Sequence, residues 1–547
     1  MLRRRGHHGR KLTVPDAIVI GAGPNGLVAA NVLLDAGWSV EVLEASDVPG
    51  GAVRTAELIE PGFHHDVFSA FYPLAVASPV LRSLDLERWG VRWIRPEIDV
   101  AHSAKDGRVA AISRDLDATA ASLDGWGDGD GDSWRALFGR WAQSQGGIVE
   151  ALLSPFPPVR AGAKLVRRFN RRELLHLARL ALLPVRRLAE EEFSGEGAAL
   201  LLAGNALHAD LMPEAAGSGL FGWLLCCLAQ AVGYPVPQGG AGRITDALVR
   251  RLEAGGGTVR CGERVVDIDV RAGRAVGVTT ATGGSAAAGR AVLADVPAPA
   301  LYLDLVGTQH LPPSLLDDLR RFQWDAGTVK VDWTLDGPVP WEAAELRRAG
   351  TVHIADSLDA LTLWSAQLAM GHVPAEPFLL FGQQDVADPT RSPAGTATAW
   401  AYTHVPRQVR GDAGGGGLSG VWTDAECDEM AARIEAIVET RAPGFGSLIR
   451  GRHVLAPPSM EAADPSLVGG AINGGTAQLH QQLVFRPTVG WGRAETPIRG
   501  LFLAGASAHP GGGVHGACGA NAARAALAAD RRRRVVSALR RSPAPGS

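Results

Sequence analysis

The chain has 547 residues, of which 46% are hydrophobic and 20% charged, and its formal net charge is −3 at pH 7. That length calls for about two to four domains. The composition excludes a disordered or fibrous chain, and the near-balance of charge excludes a surface that gathers nucleic acid by counterion release. The 68 glycines and 34 prolines follow no period, which removes collagen-like and low-complexity readings. Five scattered cysteines, Cys226, Cys227, Cys261, Cys427 and Cys518, contain no CxxC; they argue for a reducing, cytoplasmic compartment and against a disulfide framework.

In chain order, MLRRRGHHGRK has no apolar core before Val14 and is expected to be a basic tail over residues 1–13, not a secretory signal. Asp16 to Ile20, DAIVI, predicts a buried parallel strand, Leu27 to Ala36 a helix stopped by Gly37, and Trp38 to Leu43 a second strand ending at Glu44. From Leu81 to Leu228 the pattern turns mainly helical, with Trp134 to Gln145 and Glu173 to Glu192 as examples. Leu220 to Val232 is apolar but short of the ~20 residues of a membrane span, and reads as a buried helix. Alternation of strands and helices returns at Gly239, with a helix at Ile244 to Ala254 and strands at 258–260, 264–270, 274–280 and 291–294. Strands at 328–335 and 378–383 and a helix at 424–437 follow, then a loop at 411–420, a strand at 500–505 and a helix from about Ala517 to Asp530.

The order strand, GxGxxG, helix, strand, acid has a mechanical reason at each position. Gly21 permits the tight turn, Gly23 lets backbone approach a pyrophosphate, and Gly26 lets the helix pack on the strand. Pro24 and Asn25 open a helix whose free N–H groups and partial positive charge face that pyrophosphate. Glu44, followed by Ala45, is placed to accept hydrogen bonds from ribose hydroxyls, which favours FAD or NAD over NADP.

The next residues, Glu44-Ala-Ser-Asp-Val-Pro-Gly50-Gly51-Ala-Val-Arg54-Thr55, resemble the second glycine motif of FAD-dependent oxidoreductases in the amine oxidase and phytoene desaturase superfamily. The resemblance implies that Gly50, Gly51 and Arg54 lie along FAD, and it continues through Pro61-Gly-Phe-His-His-Asp66, which brings in His65 as a catalytic candidate. The segment 239–270 is similar to the stretch that returns to the nucleotide domain in these proteins, and implies that the backbone of Val265 touches the adenine. LFLAGASAHPGGGVHGACGANAARAAL at 501–527 resembles the phytoene desaturase-type ending, and GGAINGG at 469–475 adds to the likeness. It implies flavin contacts at Gly505, Ala506, Gly512, Gly513 and Val514, and makes His509, in a loop that reaches the flavin, a second catalytic candidate beside His65, although histidines in such loops also serve by capping and hydrogen bonding. Physically, glycines there let backbone lie against a flat ring, and the helix that follows stabilises negative charge on the reduced ring.

The expected fold is α/β: a discontinuous, Rossmann-like FAD-binding domain with a parallel sheet, formed by residues 14–80, 236–310 and 491–532. An inserted α+β substrate domain of helices and mixed sheet occupies 81–235 and 311–490, and a basic tail 533–547. The expected activity is hydride transfer from an apolar or amphipathic small molecule to flavin N5, with the electron acceptor open between oxygen, a quinone and a nicotinamide. Two alternatives stay open: a structural FAD in a protein that acts through partners, and redox-neutral isomerisation. Disulfide chemistry lacks a spaced cysteine couple, and amine oxidation lacks a lysine in 291–310 and aromatics in 509–516. No HExxH, GxSxG or GxxxxGK[ST] occurs, and Asp128, Asp130 and Asp132 lack the closing glutamate of a calcium loop, so no metal is expected and the acids read as a cap for the helix near Trp134. Between Val159 and Arg187, nine lysines and arginines stand against the single acid Glu173, the pattern of a solvated helix face or of peripheral contact with an anionic membrane.

Overall fold

A computed structural model describes residues 14–541. The strand β1 (Ala17–Ile20) is wholly buried, as an apolar run enclosed on both faces must be. The helix α1 (Pro24–Asp35) starts on a proline, which needs no donor in the first turn, and β2 (Val40–Leu43) pairs parallel with β1. On the other side of β1 lie the strands Ala291–Ala294 and then Leu501–Leu503; beyond β2 lies Thr258–Arg260. All four pairings are parallel, so the loops after these strands collect at one end of the sheet. The helices Gly242–Ala254 and Ala517–Arg541 pack against α1 and cover the sheet. A three-stranded antiparallel sheet, 265–287, lies beside it.

A second, seven-stranded sheet has the order Ile449–Leu455, Gly327–Leu335, Ala397–Val405, Leu379–Gly382, Ala349–Ile354, Ile98–Ser103, Val109–Ser113. It is mixed, because Ala349–Ile354 pairs parallel with Ile98–Ser103 while its other pairs are antiparallel. One face buries a core that includes Val331, Trp333, Phe381 and Ile434. A larger core joins the parallel sheet to helices 130–153, 196–207 and 218–231, where the expected buried helix holds Cys226 and Cys227.

Four expectations change. The region read as mainly helical supplies three strands, 93–94, 98–103 and 109–113, and buried Asp99 and His102 disguise the second of them in the sequence. The helix expected over 173–192 breaks into Arg171–Leu180 and Val185–Glu192, because Pro184 has no N–H and disfavours helical backbone before it. The last helix continues to Arg541, so the basic tail expected at 533–547 is helical that far; its arginines, valines and alanine meet no glycine or proline before Pro543. Finally, Asp130 does not cap its own helix: its carboxylate accepts from Ser194 N at 2.7 Å and Gly195 N at 2.9 Å, at the start of the helix Glu196–Leu207. The tail at 1–13 lies outside the described residues.

Candidate functional site

One cavity of about 860 Å³ opens where the glycine turns of the parallel sheet meet the second sheet. Its walls include Gly21, Gly23, Pro24, Asn25, Glu44, Ala45, Gly51, Arg54 and Val265 from the first and middle segments, and Gly505, Ala506, Gly512, Gly513 and Val514 from the last. Gly26 and Gly50 are not on the wall. A Cβ on Gly26 would stand 2.1 Å from the Gly21 carbonyl oxygen, so this glycine sets the contact of helix with strand. Gly50 N donates to Ala22 O at 2.9 Å and, at φ +124, turns the second glycine motif under the first. The N-termini of α1 and of helix 517–541 both reach this cavity, through Gly23–Asn25 and Gly512–His515. His515 Nδ1 accepts from Ala517 N at 3.0 Å and so caps the second of these helices.

Among the carboxyls on the wall, Glu44, Asp295 and Asp464 stand by the glycine turns. Glu44 accepts from Ala22 N at 2.6 Å and Ser46 N at 2.8 Å, fixing the turn to the end of β2. Asp295 follows the strand 291–294, and Gly26 N donates to it at 2.7 Å. Loss of bulk water raises the Asp295 carboxyl to about 7, against that amide and with help from Asp464 and Glu44. Burial also raises Asp464.

The second sheet turns a polar face to the cavity. Thr328 and Lys330 from one strand and Trp400 and Tyr402 from its neighbour line the wall, with Lys330 in register opposite Tyr402 and Asp332 opposite Trp400. The Lys330 ammonium is 2.5 Å from both Asp332 carboxylate oxygens, donates to Asp66 O at 3.0 Å, and stands 5.7 Å from the Trp400 ring centre. Burial alone would raise the Asp332 carboxyl, but Lys330 and His65 hold it below its ordinary value. Trp400 and Tyr402 stack at 5.9 Å and 10°. Residues 291–310 hold no lysine and residues 509–516 no aromatic, as the sequence shows; the lysine and the aromatic pair of this wall come from the second sheet instead. His208 also lines the cavity, and its Nε2 is 2.9 Å from His353 Nε2. Burial lowers both imidazoles, His208 to about 3.

The two histidines named from sequence stand elsewhere. His65 is buried behind the wall, its Nδ1 3.6 Å from Asp332 Oδ1. His509 turns away from the cavity into the helical region, where its Nε2 meets Ser154 O at 3.1 Å and its ring meets Phe156; burial lowers it to about 4. Cys226 and Cys227 are buried free thiols that burial pushes well up, so they are not thiolate nucleophiles. Among the described residues no cluster of metal-binding type exists. Sequence reasoning missed Asp295, although its place at the end of a parallel strand is where such sheets bind ligands.

A parallel dinucleotide-type sheet, glycine backbone on two walls and two helix N-termini facing one cavity fit FAD, and the protein is an FAD-dependent oxidoreductase. The cavity stands toward the top of the roughly 300–1,000 Å³ range of small-ligand sites, as a coenzyme plus substrate requires. The chain belongs to the flavin containing amine oxidoreductase family, whose model matches residues 25–380. It is 28% identical to mouse pyridine nucleotide-disulfide oxidoreductase domain-containing protein 2 over 95% of this chain and 94% of that one. It is 24% identical to a neurosporene-forming phytoene desaturase of Cereibacter sphaeroides, over 94% of each. Cyclohexylamine oxidase from Brevibacterium oxydans shares its fold, with TM-score 0.56 at 16% identity over 95% of this chain and all of that one.

Proposed function

We propose that the protein dehydrogenates an apolar or amphipathic small molecule. The observation that carries this reading is the substrate wall itself: Phe71, Leu74, Leu153, Phe221, Leu224 and Leu225 line it, and its one lysine is already bound by Asp332. On the second sheet, Asp332 and the Trp400 ring are already taken up by the Lys330 ammonium, so neither is open there to a cationic amine. Similarity to a phytoene desaturase supports an apolar substrate, whereas the cyclohexylamine oxidase likeness is one of fold.

FAD, when bound, supplies a two-electron acceptor at ring N5. The α1 N-terminus and Gly23 would hold its pyrophosphate, Glu44 its ribose, the Val265 backbone its adenine, and Gly512–Val514 its ring. The apolar side chains exclude water and orient the reacting C–H bond. His208, with His353 behind it, takes the proton released as the substrate loses hydride from the neighbouring carbon. A proton on the carbon next to the one that loses hydride is acidic enough for a weakly basic imidazole such as His208.

The test is anaerobic titration of the flavin-loaded protein with terpenoid hydrocarbons, their alcohols, and primary amines, read as loss of visible flavin absorption. Bleaching by the apolar compounds with a product two hydrogens lighter supports the proposal. Bleaching by amines alone overturns it, and an unchanged product mass assigns isomerisation.

A further inference from the structure

Arg486 is 1% exposed, yet among the described residues it makes no ion pair. Its guanidinium donates only to backbone carbonyls: Asn473 O at 2.8 Å, Thr476 O at 2.9 Å and Ala506 O at 2.8 Å, with longer contacts to Gly474 O and Gly475 O. The matching carboxylate lies across the same loop. Asp325, also 1% exposed, accepts from Ile472 N at 2.7 Å, Asn473 N at 2.8 Å and Gly475 N at 3.1 Å. The loop 472–476 thus has its amides turned to a buried anion and its carbonyls to a buried cation. The wall of the cavity is made here: Asn473, Gly474 and Ala506 line it. The closing turn rests on the same group, since a Cβ on Gly511 would stand 3.2 Å from Arg486 Cζ.

Burying a charge is costly unless it is paired, and a fold that needed only to tie this loop would do so with neutral donors at less cost. With its partner one loop away, the cation's field is not cancelled where it stands and extends through low-dielectric wall into the cavity. We propose that Arg486 is a positioning residue whose fixed positive charge raises the reduction potential of the bound flavin, with Asp325 as the counter-charge that limits the effect. This rests on the FAD assignment and concerns only these two side chains.

The test uses flavin-loaded full-length protein. The two-electron potential by dye equilibration and the sulfite dissociation constant are compared for wild type, R486K, R486M and D325N. R486M is expected to weaken sulfite binding about tenfold, equivalent to a potential lower by about 30 mV for a two-electron couple. R486K, which keeps the charge but loses the fork, stays within about threefold of wild type; D325N shifts both quantities the opposite way to R486M. If R486M does not yield flavin-loaded protein, D325N and R486K decide. Wild-type potentials in D325N, or a shift in R486K as large as or larger than that of R486M, overturn the proposal, because a loop tie alone acts through geometry and not through sign. A wild-type chain that binds no flavin would instead remove the FAD assignment, a separate outcome.

Discussion

At the scale of single residues, the energetics of the site concentrate in buried charges. Lys330 and Asp332 are 3% and 0% exposed, and removing one partner strands the other. Lys330→Met is expected to cost about 3–5 kcal/mol, read by urea unfolding, while the double change Lys330→Met with Asp332→Leu recovers most of that loss. Equal loss in single and double variants would show that the pair is not coupled. Asp295 gives a pH dependence. Its folded value of about 7 lies above the ordinary 3.8, so the native state holds the extra proton between those limits and loses stability as pH rises across them. The neutral acid also tolerates a pyrophosphate beside Gly23 better than the anion does. FAD affinity, followed by flavin fluorescence, is expected to fall as pH rises above about 7, approaching tenfold per unit, and Asp295→Asn is expected to flatten the profile. A wild-type profile flat from pH 6 to 9 contradicts this.

At the scale of elements, the first turn of the parallel sheet was legible because each of its residues has a local mechanical duty. Gly26 shows how tight the constraint is: with a Cβ 2.1 Å from Gly21 O, Gly26→Ala forces helix and strand apart. A loss of about 1–3 kcal/mol in stability, together with loss of flavin from the purified protein, is expected. The substrate side was not legible for a physical reason. Thr328, Lys330, Asp332 and Thr334 alternate with Val329, Val331, Trp333 and Leu335, the pattern of a strand with one face in water. Here both faces are buried, and the polar one, shared with Trp400 and Tyr402 of the neighbouring strand, faces the cavity. Alternation reports two faces but not what lies against each. His65 and His509 were reached through neighbouring motifs and make structural contacts to Asp332 and Ser154, whereas His208 and His353 meet only through pairing across 145 residues of chain.

At the scale of the whole molecule, the cavity exists only because segments far apart in sequence close around it. A charged surface lies nearby: helices Val159–Arg168 and Arg171–Leu180 follow the helix whose Leu152 and Leu153 line the cavity. Of the nine basic residues between Val159 and Arg187, Lys164, Arg179, Arg186 and Arg187 pair with acids, whereas Arg160, Arg167, Arg168, Arg171 and Arg172 have no ion pair among the described residues. Among the described residues no helix is long and apolar enough to cross a membrane. Sedimentation with anionic vesicles is expected to be weak, to fade between 50 and roughly 200 mM salt, and to be lost when these five arginines become glutamine; binding that ignores both salt and the substitutions would rule out electrostatic contact. The central claim is that the opening and closing glycine turns hold one coenzyme between them. Acid release and quantification of flavin from the purified chain tests it most directly. The expected result is one FAD per chain, released early by Gly26→Ala; a colourless chain that takes up no added FAD would contradict it.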